Sequence, residues 1–228
     1  MELFKPKSSA EFFDTLQFII AVLLQLTMLI LSVALFFREA WLSAFTGTLV
    51  LAFTFMPGIL ARQLNLVLPV EFSLVTNVFL CASFALGEVG DFYARFWWWD
   101  LMLHSLSALT IGLIGFLAIY VFIRAKRVFV PPIYVASMSF SVAVTTGSLW
   151  EIFEFSMDWF FGFNMQKSGL VDTMTDMIVD TLSAFIVATL GYFYVKNGDS
   201  LIIDGVIRDF LKKNPHLLKR IKVDEDAG

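Results

Sequence analysis

Six uninterrupted apolar runs, at residues 15–37, 41–60, 70–86, 101–123, 133–155 and 171–195, constrain this chain more than any other feature. Each falls within the roughly 17–25 residues that a membrane-crossing helix needs at about 1.5 Å of rise per residue. None shows the period-two alternation of a lipid-facing barrel strand, and only helices satisfy their own backbone polar groups inside hydrocarbon. Composition agrees: 58% of the 228 residues are hydrophobic and 16% charged, against about 45–50% and 25% in soluble domains. The expected fold is all-α, a polytopic membrane bundle of about six transmembrane helices. Residues 1–14 form an N-terminal segment, 15–195 the helical domain and 196–228 a tail. The first run is of full spanning length, so it is expected to remain as a helix rather than be removed as a signal peptide. Pro131 and Pro132 suit the first turn of the fifth span, while Pro57-Gly58 are expected to kink the second near its end.

Lys and Arg set the orientation. With the N-terminus inside, thirteen cations fall on the inner side and three (Arg38, Arg95 and Lys167) on the outer. That bias predicts N-in, C-in, and it places all six Trp near outer helix ends, as an interfacial belt requires. The inner cations are juxtamembrane, so they give no nucleic-acid footprint. The single cysteine, Cys81, excludes a disulfide framework and multi-thiolate metal sites. In the tail, Ile203, Val206, Ile207, Phe210 and Leu211 oppose Arg208, Lys212 and Lys213, the pattern of an amphipathic surface helix ended by Asn214-Pro215. His216 lies beyond it and is expected to be exposed.

The carboxylates are distributed unevenly. Ten of twenty fall at the outer level: Glu39, Glu88, Asp91, Asp100, Glu151, Glu154, Asp158, Asp172, Asp176 and Asp180. Asp100 precedes His104 by four residues; Glu151, Glu154 and Asp158 are spaced by three and four, and Asp172, Asp176 and Asp180 by four and four. Each set therefore occupies one helical face. Facing lipid, each Asp near the bilayer centre would cost about 2.5–3.5 kcal/mol, so the sets are expected to face the bundle interior and meet there. Without cations they would repel one another, whereas a divalent metal satisfies several at once.

Bland roles compete with this one. Asp100, Asp172 and Asp176 lie near helix N-termini, where a carboxylate caps or favours the dipole. Glu151, Glu154 and Asp158 fall near a C-terminus, where the dipole opposes them, and Asp180 is two turns into its span. Alone, His104 reads as a satisfied core histidine; beside the acids it reads as a ligand or proton carrier. Glu88, Asp91 and Arg95 fit either an interfacial ion-pair set or a substrate contact. The expected metal ligands are Glu151, Glu154, Asp158, Asp176 and Asp180, with His104, Asp100 and Asp172 handling protons and Asp100 orienting His104. Asp172 to Asp180 spans about 12 Å of helix, too far for one ion, so either two metals bind or one Asp has another task. The oxygen-rich set suits Mg, Mn, Ca or a mixed zinc site.

The segments Gly87-Glu88 to Asp91-Phe92-Tyr93, Trp98-Trp99-Asp100 through His104, Trp150-Glu151-Ile152-Phe153-Glu154-Phe155 through Asp158, and Asn164-Met165-Gln166 through Asp172, Asp176 and Asp180 resemble the YjdF-like family, uncharacterised prokaryotic inner-membrane proteins bearing a domain of unknown function. The resemblance spans roughly residues 85–190. It implies a multi-span fold with paired acidic motifs in the inner membrane of a prokaryote, and it brings no activity. Other families fit less well. Lipid phosphatases of the PAP2 type need basic phosphate clamps and two histidines, rhomboid-like proteases a Ser-His pair, and Gly147-Ser148 lacks the second glycine of their motif. The spaced Asp run is similar to the Asp-rich helices of prenyltransferases and CDP-alcohol phosphotransferases, an analogy for Asp-bound Mg holding a phosphorylated lipid.

The residues support three readings. The first is a metal-dependent hydrolase or transferase acting on a lipid-linked substrate, with Arg95 and Lys167 meeting a head group. The second is a cation or proton-coupled transporter using the same acids. The third is a purely structural metal that staples the helices together.

Overall fold

The computed structural model describes residues 9–63, 65–67, 70–126, 128–197 and 203–215. The helices are α1 (Ser9–Phe37), α2 (Trp41–Gln63), α3 (Val70–Cys81, continuing as a π-helix over Ala82–Val89), the single turn α4 (Phe92–Arg95), α5 (Trp99–Lys126), α6 (Pro132–Phe161), α7 (Leu170–Asn197) and α8 (Ile203–Lys213). The described residues are 87% helical and contain no strand. Six helices are long and apolar enough to cross a membrane, and all six expected spans are among them.

Two compact units divide the chain, Met1–Phe96 and Trp97–Gly228. In the first, α1, α2 and α3 pack against one another; in the second, α5, α6 and α7 do the same. Within each, many large apolar side chains point outward and small or polar ones join a few large ones, such as Met28, Phe84 and Phe116, inside. Ile30, Phe122, Phe185 and Trp159 are more than half exposed, whereas Ser32, Thr54, Asn77, Ser139 and Ser183 are buried. That inversion follows from a lipid solvent, in which leucine gains nothing by moving inside while a hydroxyl must find a partner. The hydroxyls do find one. Gln25 donates to Thr54 Oγ1 at 3.1 Å, Ser139 to the Gly112 carbonyl at 2.7 Å, and Ser105 and Ser183 lie 3.0 Å apart across α5 and α7.

Three features depart from the sequence-based expectation. Helix α2, with Pro57 inside it, runs to Gln63, three residues beyond its apolar run. The end of the third span winds as a π-helix, with Gly87 against the Tyr93 ring and Ser83 hydrogen-bonded to Tyr93 at 2.8 Å. Helix α6 continues to Phe161, six residues beyond its apolar run. Glu151 is consequently ten residues inside the helix rather than at its C-terminus, and the dipole argument against it lapses. Gly162, in the left-handed region at φ 68°, ends α6. Trp99, at 7% exposure, is in the core of its unit rather than in an interfacial belt. The tail forms the expected amphipathic helix α8, with Ile207 buried and Asn214 just past its end. His216 lies outside the described residues.

Candidate functional site

Three helices of the second unit each contribute acidic or imidazole groups, and burial separates an inner group from an outer one. His104 lies one turn into α5, Glu151 and Glu154 in the second half of α6, and Asp172, Asp176 and Asp180 along one face of α7. His104, Glu151, Asp176 and Asp180 are all buried, with Glu151, Asp176 and Asp180 at 3% exposure or less. Asp100 and Asp172 are half-buried. Close approach of α6 to α7 makes this possible. Any Cβ at position 147 would collide with the Asp180 carboxylate, so glycine one turn before Glu151 is what lets Asp180 lie flat against α6.

His104 is held from two sides. Its Nδ1 is 3.3 Å from Asp180 Oδ2, and its Nε2 is 3.8 Å from Glu151 Oε1. A carboxylate can only accept, so Nδ1 carries the proton and donates it to Asp180. With the ring neutral, Nε2 turns a lone pair toward Glu151; with the ring protonated, Nε2 is a second donor and forms an ion pair with that carboxylate across 3.8 Å. Neither oxygen of Glu151 has a hydrogen-bond partner, and neither does Oδ1 of Asp180. A buried acceptor without a donor costs about 1–3 kcal/mol, more when charged, so these carboxylates favour a positive charge beside them, whether an imidazolium or a bound ion.

Two sets of three donor atoms lie within 4.8 Å of one another: His104, Glu151 and Asp176, and then Asp100, Asp172 and Asp176. Asp176 belongs to both. Beside the second set opens a cleft of about 260 Å³ lined by Trp97, Asp100, Leu101, Ser168, Val171, Asp172, Thr175 and Asp176. Trp97 and Val171 are strongly exposed, so the cleft combines exposed apolar side chains with three carboxylates. Lys167, beside it in sequence, is within electrostatic reach of Asp100.

A model described as predicted membrane protein (DUF2238) matches residues 17–197. The chain belongs to the DUF2238 family. That range spans nearly all of α1 through α7 and every residue of both donor sets. No curated protein and no solved structure matches the DUF2238 chain.

Several sequence-based assignments change in the folded protein. The carboxylate bonded to His104 is Asp180, seventy-six positions away, and not Asp100 on the same helix. Asp180 holds the imidazole through Oδ2 and is in neither donor set, and Glu154, half-buried on α6, is also outside both. Asp158 turns away from the cluster: its two oxygens accept the backbone N–H groups of Met165 at 2.7 Å and Gln166 at 2.8 Å. Gln166 in turn donates to Thr173 Oγ1 at 2.6 Å, which ties the end of α6 to the first turn of α7. Glu88 accepts from Ser43 at 3.2 Å, and Asp91 pairs with Arg95 at 3.6 Å while both are exposed. These three belong to the first unit and make local contacts there.

Asp158→Ala is expected to release the loop and lower stability by about 1–3 kcal/mol, since two charge-assisted hydrogen bonds to backbone are lost. Metal content should not change. Thermal unfolding in detergent alongside elemental analysis would check both statements, and loss of metal with unchanged stability would return Asp158 to the ligand set.

Proposed function

We propose that the second unit of this membrane protein is a metal-dependent hydrolase or transferase acting on a lipid-linked substrate, its ion held by His104 Nε2, Glu151 and Asp176. The observation that carries this reading is the buried Glu151 carboxylate set 3.8 Å from His104 Nε2, with Asp176 beside both. A separation of 3.8 Å suits two donors that each stand about 2.0–2.2 Å from one ion. Asp180 supplies the usual outer partner of a ligating histidine, fixing the tautomer and the ring plane. A bound divalent ion would polarise a phosphoryl or carbonyl oxygen, or lower the pKa of water.

The chain's own residues would do the rest. The three carboxylates and exposed apolar side chains of the cleft fit an amphiphile whose polar head enters while its chain stays in lipid. At about 260 Å³ the cleft is below the roughly 300–1,000 Å³ of pockets that enclose a whole drug-sized ligand. With N-in, C-in topology the cleft opens at the outer leaflet. Asp172, half-buried, lines the same cleft as Asp176.

Two measurements test the reading. Wild-type protein purified in detergent is expected to carry a divalent ion, detected by elemental mass spectrometry, that Glu151→Gln loses at least tenfold while remaining monodisperse. Loaded with Mn²⁺, the wild type should release phosphate from polyprenyl diphosphate, and Glu151→Gln should not. Sustained cation flux through proteoliposomes without substrate turnover would replace the enzyme by a transporter. Metal-dependent stability with neither flux nor turnover would leave a structural ion.

A further inference from the structure

The second set of donors is chemically distinct from the first. Asp100 lies in the first turn of α5, Asp172 in the first turn of α7 and Asp176 one turn further. Their oxygens fall within 4.8 Å of one another, and all three residues line the cleft. Asp100 and Asp172 occupy N-terminal turns, where the dipole tolerates a carboxylate; that accounts for their presence but not for their convergence on Asp176. Asp176 is the telling residue. It is 2% exposed and accepts no hydrogen bond from any described residue, yet it lines the cleft. The nearby cation is Lys167, which acts on Asp100. One carboxylate, with two oxygens, thus belongs both to a set with an imidazole and a glutamate and to a set with two aspartates.

We infer that Asp176 bridges two divalent cations, the second held by Asp100, Asp172 and Asp176 in the cleft. This rests on the reading above for the first ion only. The two positions differ in kind. The inner one, with one imidazole and a wholly buried glutamate, suits zinc or manganese; the outer one is all carboxylate oxygen, which selects hard ions such as Mg²⁺, Mn²⁺ or Ca²⁺. Facing the cleft, the outer ion exchanges with solvent and is the one a phosphorylated head group would meet. It supplies the positive charge that the cleft lining, with three carboxylates and no Lys or Arg, does not provide for an anionic substrate.

The test uses Mn²⁺ alone on the full chain in detergent, with bound ions counted by equilibrium dialysis and observed by electron paramagnetic resonance. Wild type is expected to bind two ions per chain and to show a spin-coupled spectrum, since ions sharing a carboxylate sit about 3.5–4 Å apart. Asp172→Asn should retain one ion with an uncoupled six-line spectrum, the second binding at least tenfold more weakly. Asp100→Asn provides the same comparison from another helix should Asp172→Asn fail to stay monodisperse. One ion in wild type, lost in Glu151→Gln and unaffected by either Asp variant, would overturn the outer position while leaving the inner one standing. No bound Mn²⁺ in wild type would overturn both.

Discussion

Replacing Gly147 by alanine is expected to unseat Asp180 and to destabilise the second unit by about 1–3 kcal/mol, the usual range for forcing a methyl into a closed packing contact. The new Cβ would overlap Asp180 Oδ2 and stand 3.0 Å from its Cγ. Backbone cannot yield easily there, because α5, α6 and α7 are mutually packed. The carboxylate can swing aside, and doing so takes it off His104 Nδ1, breaking the 3.3 Å bond. The imidazole is then free to change tautomer and rotate. If a metal sits on Nε2, its affinity should fall about 10–100-fold, as is typical when the outer partner of a ligating histidine is lost. Gly58→Ala is the control, since a methyl there meets nothing within 4 Å. Thermal unfolding with and without chelator measures both effects. Equal behaviour of the two variants would mean that the Gly147 contact does not hold Asp180 in place.

The other large effect is expected at Asp176. A ligand that binds only the folded state stabilises it by RT ln(1 + [L]/Kd), about 2.7 kcal/mol at a hundredfold excess over Kd. Wild-type protein should gain roughly that much from saturating Mn²⁺, and Asp176→Asn should gain nothing, because Asp176 is common to both donor sets. In the absence of metal the sign should reverse. Asparagine removes one negative charge from a buried cluster of carboxylates, so the metal-free variant is expected to be as stable as metal-free wild type or more so. Measuring unfolding in chelator and in Mn²⁺ separates these contributions. A variant that loses stability in chelator to the same extent as in Mn²⁺ would assign Asp176 a packing role independent of any ion.

The six spans were legible because hydropathy over some twenty residues is a property of composition, and lipid leaves the backbone no alternative to the helix. Their ends were less so. Phe155–Phe161 interleaves Ser156, Met157 and Asp158 with aromatic residues, which breaks the apolar run but not the helix. The π-helix at Ala82–Val89 has no counterpart in side-chain periodicity. Helical spacing correctly brought Asp172, Asp176 and Asp180 onto one face, as their shared orientation in α7 requires. It could not say which helix would meet that face at which depth. Helical spacing points to Asp100 as the partner of His104, one turn away on the same helix; Asp180 holds that place from another helix, a relation that spacing along the chain does not encode. Asp158 shows the same limit. Its place on the Glu151 face is real, but the loop after Gly162 turns back over it and presents two N–H groups.

The order of the helices along the chain bears on how the protein is made. The residues of the buried group lie on α5, α6 and α7, the last three of the six spans to emerge during synthesis. When α6 enters the bilayer, Glu151 has only His104 of α5 to meet, and an unneutralised carboxylate at depth costs several kcal/mol. Asp180 and Asp176 arrive only with α7, each bringing further charge. Insertion of this unit therefore passes through a stage at which a glutamate waits for its surroundings, and α7 can settle fully only as its own aspartates find protons or cations. If divalent ions rather than protons meet those aspartates, a growth medium depleted of such ions would reduce the yield of inserted protein through α7 before it affected the folded product.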